Sequence, residues 1–263
     1  MIIRTIRNFN IEKTIISFLM NIIKFGGSIL NPDGKYNPKV IQEFIKLVQD
    51  SKEKFIFVVG GGKLCRLIQS ASQPFLTNAL KDKNKISLAN DELGLAVTKI
   101  NASYVLDKFK RQLKSQVYPE IILDPTQKVK SSARIFFAGG WKPGCSTDKD
   151  MMMLAEAFQA KNVFKITDFP FVKKIKPLSL LNKSKEEKEK VLNKAENITA
   201  MNWEELQNLV GTKWVPGLNT PFDPEAVKIG LRLRKRLTLY IGKKEEFSNW
   251  IKSQNFRGTV VKD

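Results

Sequence analysis

Short apolar runs that end in glycine, each followed by apolar residues at helical spacing, recur along this chain. Residues 22–25 form a β-branched run closed by Gly26-Gly27-Ser28 and a Pro32-Asp33-Gly34 turn, which predicts a strand and a loop. Residues 38–49 place Val40, Ile41, Phe44, Ile45, Leu47 and Val48 along one side of a helix. Residues 55–59 are apolar throughout, as in a strand buried on both faces, and run through Gly60-Gly61-Gly62 into a helix-like stretch at 63–71. A long helix is expected over 88–110, with Asp91 and Glu92 in its first turn. Residues 121–123, near Pro119 and Pro125, read as an edge strand.

The stretch 134–160 repeats the unit: an apolar strand, a loop with Gly139, Gly140 and Gly144, a Cys-Ser-Thr-Asp run, and a helix of Met, Leu and Ala. Such a unit leaves backbone N–H groups at a helix N-terminus able to hold an anion. Read for structure alone, Asp148 at the start of that helix is a helix cap. Downstream the pattern predicts a strand at 163–166, a solvated Lys/Glu-rich segment over 182–197 and a helix at 203–210. A proline-glycine loop at 211–224 leads to a helix capped by Asp223 and running to Arg236. A strand at 237–241, an amphipathic helix at 245–253 and a strand at 259–261 close the chain. Alternating strands and helices indicate an α/β fold, a three-layer sandwich with a mainly parallel central sheet. The apolar patch at 11–30 is too interrupted by charge and glycine to span a membrane and has no signal-type cleavage site. Residues 1–19 are therefore expected as an N-terminal extension to one domain spanning 20–263.

Composition narrows the chemistry. The net charge of +19 is spread along the 263 residues rather than gathered in one arm, which favours anionic small substrates over a dedicated nucleic-acid interface. The chain has no histidine, so Ser-His-Asp triads, Cys-His pairs and histidine-ligated zinc are excluded. Cys65 and Cys145 lack metal-type spacing, which fits a reducing compartment and a cytoplasmic location. Neither a Walker-type phosphate loop nor a dinucleotide fingerprint is present. Three glycine loops after three strands nevertheless predict an anion cleft at the carboxyl edge of the sheet, where backbone N–H groups can approach phosphate.

Five segments taken together resemble the uridylate (UMP) kinases of the amino acid kinase superfamily. They are Ile22 to Ser28, Val58 to Arg66, Ala89 to Gly94, Ala138 to Asp148 and Pro221 to Ala226, in the family's order, and the likeness covers nearly everything after Met20. The resemblance implies an amino-acid-kinase-like fold that transfers the γ-phosphoryl group of ATP to UMP with Mg2+, in pyrimidine nucleotide biosynthesis. It makes Lys24 and Asp148 catalytic. It assigns Gly61, Gly62, Arg66, Asp91, Gly140, Gly144, Ser146 and Thr147 to the acceptor nucleotide, and Lys24, Gly26, Gly27, Thr167, Phe169, Phe171 and Asp223 to the donor. No residue set is assigned to the metal. The acceptor half is expected at about 20–160 and the ATP half at about 161–263, in a homo-oligomer, a hexamer by resemblance, without membrane or nucleic-acid partners. Where related kinases carry a T-N-V-D-G-V-Y-like run, this chain reads Thr167-Asp168-Phe169-Pro170-Phe171-Val172-Lys173. Two rival readings fit the same residues: another small-acceptor kinase of the superfamily, and a nucleotide-binding or regulatory homologue with weak turnover.

Overall fold

The computed structural model describes residues 20–213 and 220–263. The expected extension at 1–19 and part of the proline-glycine loop fall outside the described residues. In chain order the elements are β1 (Met20–Phe25), α1 (Gly27–Leu30), α2 (Pro38–Gln49), β2 (Lys54–Val59), α3 (Gly62–Leu80) and α4 (Lys83–Leu113). β3 (Val117–Ile122), β4 (Ile135–Ala138), α5 (Thr147–Ala157), β5 (Asn162–Ile166), β6 (Val172–Lys173) and α6 (Lys185–Lys194) follow. The last are β7 (Asn197–Ile198), β8 (Ala200–Met201), α7 (Trp203–Val210), α8 (Pro224–Leu233), β9 (Thr238–Gly242), α9 (Lys244–Ile251) and β10 (Thr259–Val261).

Eight strands make one sheet in the order β3-β4-β2-β1-β5-β9-β10-β8. Every neighbouring pair is parallel except β9 with β10. Because strand side chains alternate between faces, each central strand feeds two separate cores. Ile22, Ile56, Val58 and Phe136 meet α5, α7 and α8 through Met151, Leu154, Leu206, Trp203 and Val227. Ile23, Phe25, Phe55, Phe57 and Phe137 meet α2, α4 and α9 through Phe44, Val105, Phe109 and Phe247. The result is the expected three-layer sandwich, and its continuous apolar strands are those of a sheet covered on both faces. The second core is rich in aromatic pairs, among them Phe57 with Phe137 at 5.5 Å and Phe109 with Phe137 at 5.0 Å between ring centroids.

Several boundaries differ from the sequence reading. α4 begins at Lys83, because Asp82 caps it by accepting from the Asn84 and Lys85 N–H groups at 2.7 and 3.2 Å. Asp91 and Glu92 therefore lie within the helix rather than in its first turn. α3 continues to Leu80 through Pro74, and it buries no residue. It packs along the first half of α4 as a hairpin with Leu67, Phe75, Leu88 and Ile100 exposed. α8 stops at Leu233, three residues short of the expected end, and β3 stops before the exposed Leu123. The Lys/Glu-rich segment forms α6, closed by a Ser184–Glu187 capping box and burying nothing, so the reading of it as surface holds. No described helix is long and apolar enough to cross a membrane.

Candidate active site

β1 is the point where the sheet's connections change direction, with β2 on one side and β5 on the other. Crevices in parallel sheets open at such a point, beyond the carboxyl ends of the strands. β1, β2 and β4 run parallel, so the three glycine loops that follow them emerge side by side. The first two loops interlock: a Cβ on Gly27 would lie 2.1 Å from the Gly62 Cα, and Gly62 itself has φ +65°. Only glycine permits that approach and that backbone angle together. The Gly60 N–H donates to the Phe25 carbonyl at 3.3 Å, which ties the loops further.

α4 splints the loops from behind. The buried Asn101 donates from Nδ2 to the carbonyls of Gly60 at 2.8 Å and Gly61 at 3.1 Å, and its Oδ1 accepts from the Tyr36 hydroxyl. Thr98 Oγ1 accepts from the Gly140 N–H at 2.8 Å, which anchors the third loop. The sequence reading assigned neither residue a role.

Between α3, α4 and the third loop lies a 160 Å³ cavity lined by Gly61, Asp91, Gly140, Gly144 and Thr147, with Cys65, Thr98, Lys142 and Cys145 among its other walls. Asp91 Oδ2 accepts from the Gly144 N–H at 3.0 Å, linking α4 to the third loop. The other three expected acceptor residues stand outside this lining. Gly62 is locked against Gly27, Arg66 is exposed one turn along α3, and Ser146 caps α5 by accepting from the Lys149 N–H at 3.2 Å. Both cysteines of the chain reach the cavity, and burial pushes each thiol up from its ordinary value. A larger cavity of 740 Å³ between α2 and α9 shares no residue with the glycine loops, and its polar rim of Glu43, Lys46, Asp50 and Lys244 places it apart from this site.

At the floor of the crevice Asp148 binds two ammonium groups. Lys24 Nζ donates to Oδ1 at 2.5 Å and Lys165 Nζ to Oδ2 at 2.7 Å. Lys24 and Lys165 are Cα partners across β1 and β5, so the sheet register brings both lysines to one carboxylate. The Asp223 N–H also donates to Asp148 Oδ2, at 3.3 Å, while Asp223 Oδ1 caps α8 by accepting from the Glu225 and Ala226 N–H groups. Asp148 is thus not the cap of α5: Ser146 takes that place, and Asp148 is turned onto the lysines instead. Burial alone would raise the Asp148 carboxyl, but the ammoniums of Lys165 and Lys24 overcome it and hold the group far below the ordinary carboxylate range. Burial draws Lys165 below an ordinary lysine, a tendency that Asp148 opposes and Lys24 reinforces.

Lys165 was missed by the sequence reading. Its signal was a lysine inside the short apolar strand at 162–166, but only the register with Lys24 gives it meaning. Thr167 is buried, and its hydroxyl donates to the Phe169 carbonyl at 2.7 Å. Phe169 packs on the edge of the first core, and Phe171 is half-buried. Lys173 donates to the Ala195 carbonyl at 3.2 Å within the β6–β7 ribbon. Of the expected donor residues, Lys24, Gly27 and Asp223 are therefore drawn into the group at the carboxyl edge of β1, Gly26 caps α1 beside them, and Thr167, Phe169 and Phe171 form a separate turn after β5.

The donor chemistry does not fit a metal held by protein. Both Asp148 oxygens are engaged by ammonium groups, and the described residues contain no group of three or more carboxylates or thiols placed to hold an ion.

Asp150 lies two residues beyond, fully buried, with Oδ2 accepting from the Trp141 N–H at 3.2 Å and Oδ1 without a partner. Burial pushes its carboxyl up to about 7, against the lowering effects of the Trp141 N–H, Lys24 and Lys149 and together with the charge of Asp148. Because the folded value lies above the unfolded one, the folded protein holds the extra proton between about pH 4 and pH 7, and stability falls as pH rises through that window. Chemical denaturation is expected to show Asp150→Asn gaining on the parent by on the order of a few kcal/mol between pH 5 and pH 8. Equal slopes for the two proteins would contradict this.

A parallel sheet with a lysine-bound aspartate and three glycine loops at its carboxyl edge defines a phosphate-handling α/β protein. Residues 20–241 match the profile of the amino acid kinase family, and the chain belongs to that family. It is 30% identical over 230 residues to a uridylate kinase of Pyrococcus abyssi, covering 85% of this chain and 90% of the relative. It is 27% identical over 246 residues to a uridylate kinase of Methanospirillum hungatei, covering 91% and 93%. The crystal structure of a uridylate kinase from Archaeoglobus fulgidus superposes with a TM-score of 0.68 at 22% identity, covering 92% of this chain and 99% of that one, which shows the shared fold.

Proposed function

We infer that the chain is a uridylate kinase, an ATP:UMP phosphotransferase that converts UMP and ATP to UDP and ADP. The observation that carries this reading is the group Lys24–Asp148–Lys165, set where the two interlocked glycine loops meet and beside the cavity bearing Asp91. The likeness to uridylate kinases, over 85% and 91% of this chain, supports the choice of acceptor.

The chemistry suits a chain without histidine. A phosphate monoester with a second pKa of about 6 is largely ionised at pH 7 and brings its own nucleophile. A UMP phosphate oxygen attacks the γ-phosphorus, the bond to the β-phosphate bridging oxygen breaks, and no proton has to be removed. What remains for the protein is to align two repelling phosphates and to stabilise the transferring group with fixed cations and N–H donors. In this reading Gly61, Gly62 and Arg66 hold the UMP phosphate, Asp91 the ribose, and the loop of Gly140, Gly144, Ser146 and Thr147 the base. Lys24 meets the transferring group, held in place by Asp148. Gly26 and Gly27 approach the donor phosphates, and Thr167, Phe169, Phe171 and Asp223 border the rest of the donor, so that apart from Lys24, Gly26 and Gly27 the acceptor falls to about residues 20–160 and the ATP to about 161–263. Mg2+ belongs with the triphosphate as part of the substrate, where it neutralises phosphate charge.

A coupled assay of ADP release across UMP, CMP, glutamate and carbamate tests this. UMP is expected to support turnover well above the other three. ADP release with a different acceptor and none with UMP would overturn the assignment.

A further inference from the structure

We propose that Asn101, held in turn by Tyr36, is the positioning residue that aims the Gly61 and Gly62 N–H groups at the phosphate of the acceptor. This rests on the uridylate kinase reading above, which gives those two glycines to the acceptor phosphate, and adds the two side chains that set them in place.

A run of three glycines has no side chain to fix its peptide planes, and each plane turns over at little cost unless something outside the run holds it. Four successive N–H groups show how this run is held. Gly60 donates to the Phe25 carbonyl at 3.3 Å, and Lys63 donates to Asn31 Oδ1 at 3.0 Å. The two N–H groups between them, on Gly61 and Gly62, have no acceptor among the described residues, and both glycines are half-buried rather than enclosed. Their peptide units are the ones whose carbonyls, those of Gly60 and Gly61, accept from Asn101 Nδ2 at 2.8 and 3.1 Å. In a planar trans peptide the C=O and N–H bonds point opposite ways, so each carbonyl drawn back toward α4 turns an N–H away from it.

Asn101 is itself fixed. Its two Nδ2 hydrogens match the two carbonyls and its Oδ1 accepts from the Tyr36 hydroxyl at 2.8 Å, so the buried amide cannot turn over without losing all three bonds. Tyr36 stacks on Tyr104, three residues along α4 from Asn101, with the ring centroids 3.9 Å apart. Burial, and then the neighbouring Tyr104, push the Tyr36 hydroxyl up from its ordinary value, which keeps it a donor. The Gly61 carbonyl also accepts from the Cys65 N–H at 3.2 Å, the first helical bond of α3, whereas among the described residues the Gly60 carbonyl has Asn101 alone. The Gly61 N–H therefore depends on Asn101 most. Two adjacent N–H groups turned outward at a helix start fit a phosphate monoester, whose charged oxygens accept both.

The test compares Asn101→Ala and Tyr36→Phe with the parent by equilibrium titration of UMP and of uridine, and by steady-state kinetics, with thermal unfolding to show that each variant is folded. Uridine enters the same site without the phosphate. Asn101→Ala is expected to weaken UMP binding by about tenfold or more, as for one hydrogen bond to a charged group, with uridine affinity and KM for ATP within about twofold of the parent. Tyr36→Phe keeps the ring and should weaken UMP binding by about fivefold in the same pattern, and it carries the test if Asn101→Ala does not fold. Equal losses for UMP and uridine are the mark of a merely structural prop. That result, or UMP affinity within about twofold of the parent in the folded variants, would overturn the proposal. A parent that prefers CMP overturns only the choice of base, and CMP losing more than cytidine in the variants then supports the proposal. A parent that transfers only to glutamate or carbamate, which bring no phosphate, overturns the acceptor reading and this proposal together.

Discussion

Lys24→Ala is expected to lower the rate of phosphoryl transfer by about a thousandfold or more while UMP still binds. The lysine sits at the carboxyl end of β1, beside the loop whose Gly27 abuts Gly62, and one of its donors is committed to Asp148. In the proposed reading its removal takes a fixed cation from the place where charge develops in the transition state, whereas the UMP contacts proposed for Gly61, Asp91 and the third loop lie in the neighbouring cavity. Single-turnover rates and UMP binding by calorimetry separate the two. A variant that loses UMP binding in step with turnover would place Lys24 in the acceptor site rather than at the transferring group.

Asp148→Asn is expected to be the most damaging substitution for stability as well as activity. The amide keeps the shape but leaves two nearly buried ammoniums without a counter-charge, and breaking a buried pair in this way costs about 3–5 kcal/mol. For a chain of this size that corresponds to a fall in Tm on the order of 10 °C. The pH dependence gives the sign. The folded Asp148 carboxyl lies far below its unfolded value, so its contribution is fully present above about pH 4 and is lost as pH falls toward the depressed folded value. The parent's advantage over Asp148→Asn should therefore be large at pH 7 and shrink on acidification below about pH 4. A gap that stays constant across that range would show that the carboxylate charge is not what holds the lysines.

The architecture was legible where one pattern did one job. Continuous apolar runs ending in glycine became β1, β2 and β4, and their loops do meet at one edge of the sheet. The helix at Pro38–Gln49 followed from its apolar spacing, and Asp223 caps α8 as its position before Pro224 suggested. What stayed hidden depended on distant partners. Lys165 gains significance only from a strand pairing 141 residues away from its own position, since it is the alignment with Lys24 that turns a strand lysine into half of a clamp. Asp148 looked like a helix cap because a nearby acid at a helix start usually is one, yet Ser146 was better placed and freed it. The early start of α4 turned on Asp82, a capping residue six positions before the start expected at Leu88. Thr98 and Asn101 were read as ordinary positions on α4, because nothing local says that their side chains hold carbonyl and N–H groups of two separate loops.

The interlock of Gly27 with Gly62 has a consequence for how such an enzyme can change over time. The distance between the loop after β1 and the loop after β2 is a contact of backbone with backbone, made where no side chain fits. No rotamer can lengthen it, and no substitution elsewhere on the surface readily shifts it. Side chains around the site can therefore differ in size and charge without resetting the gauge between the loop after β1 and the loop after β2.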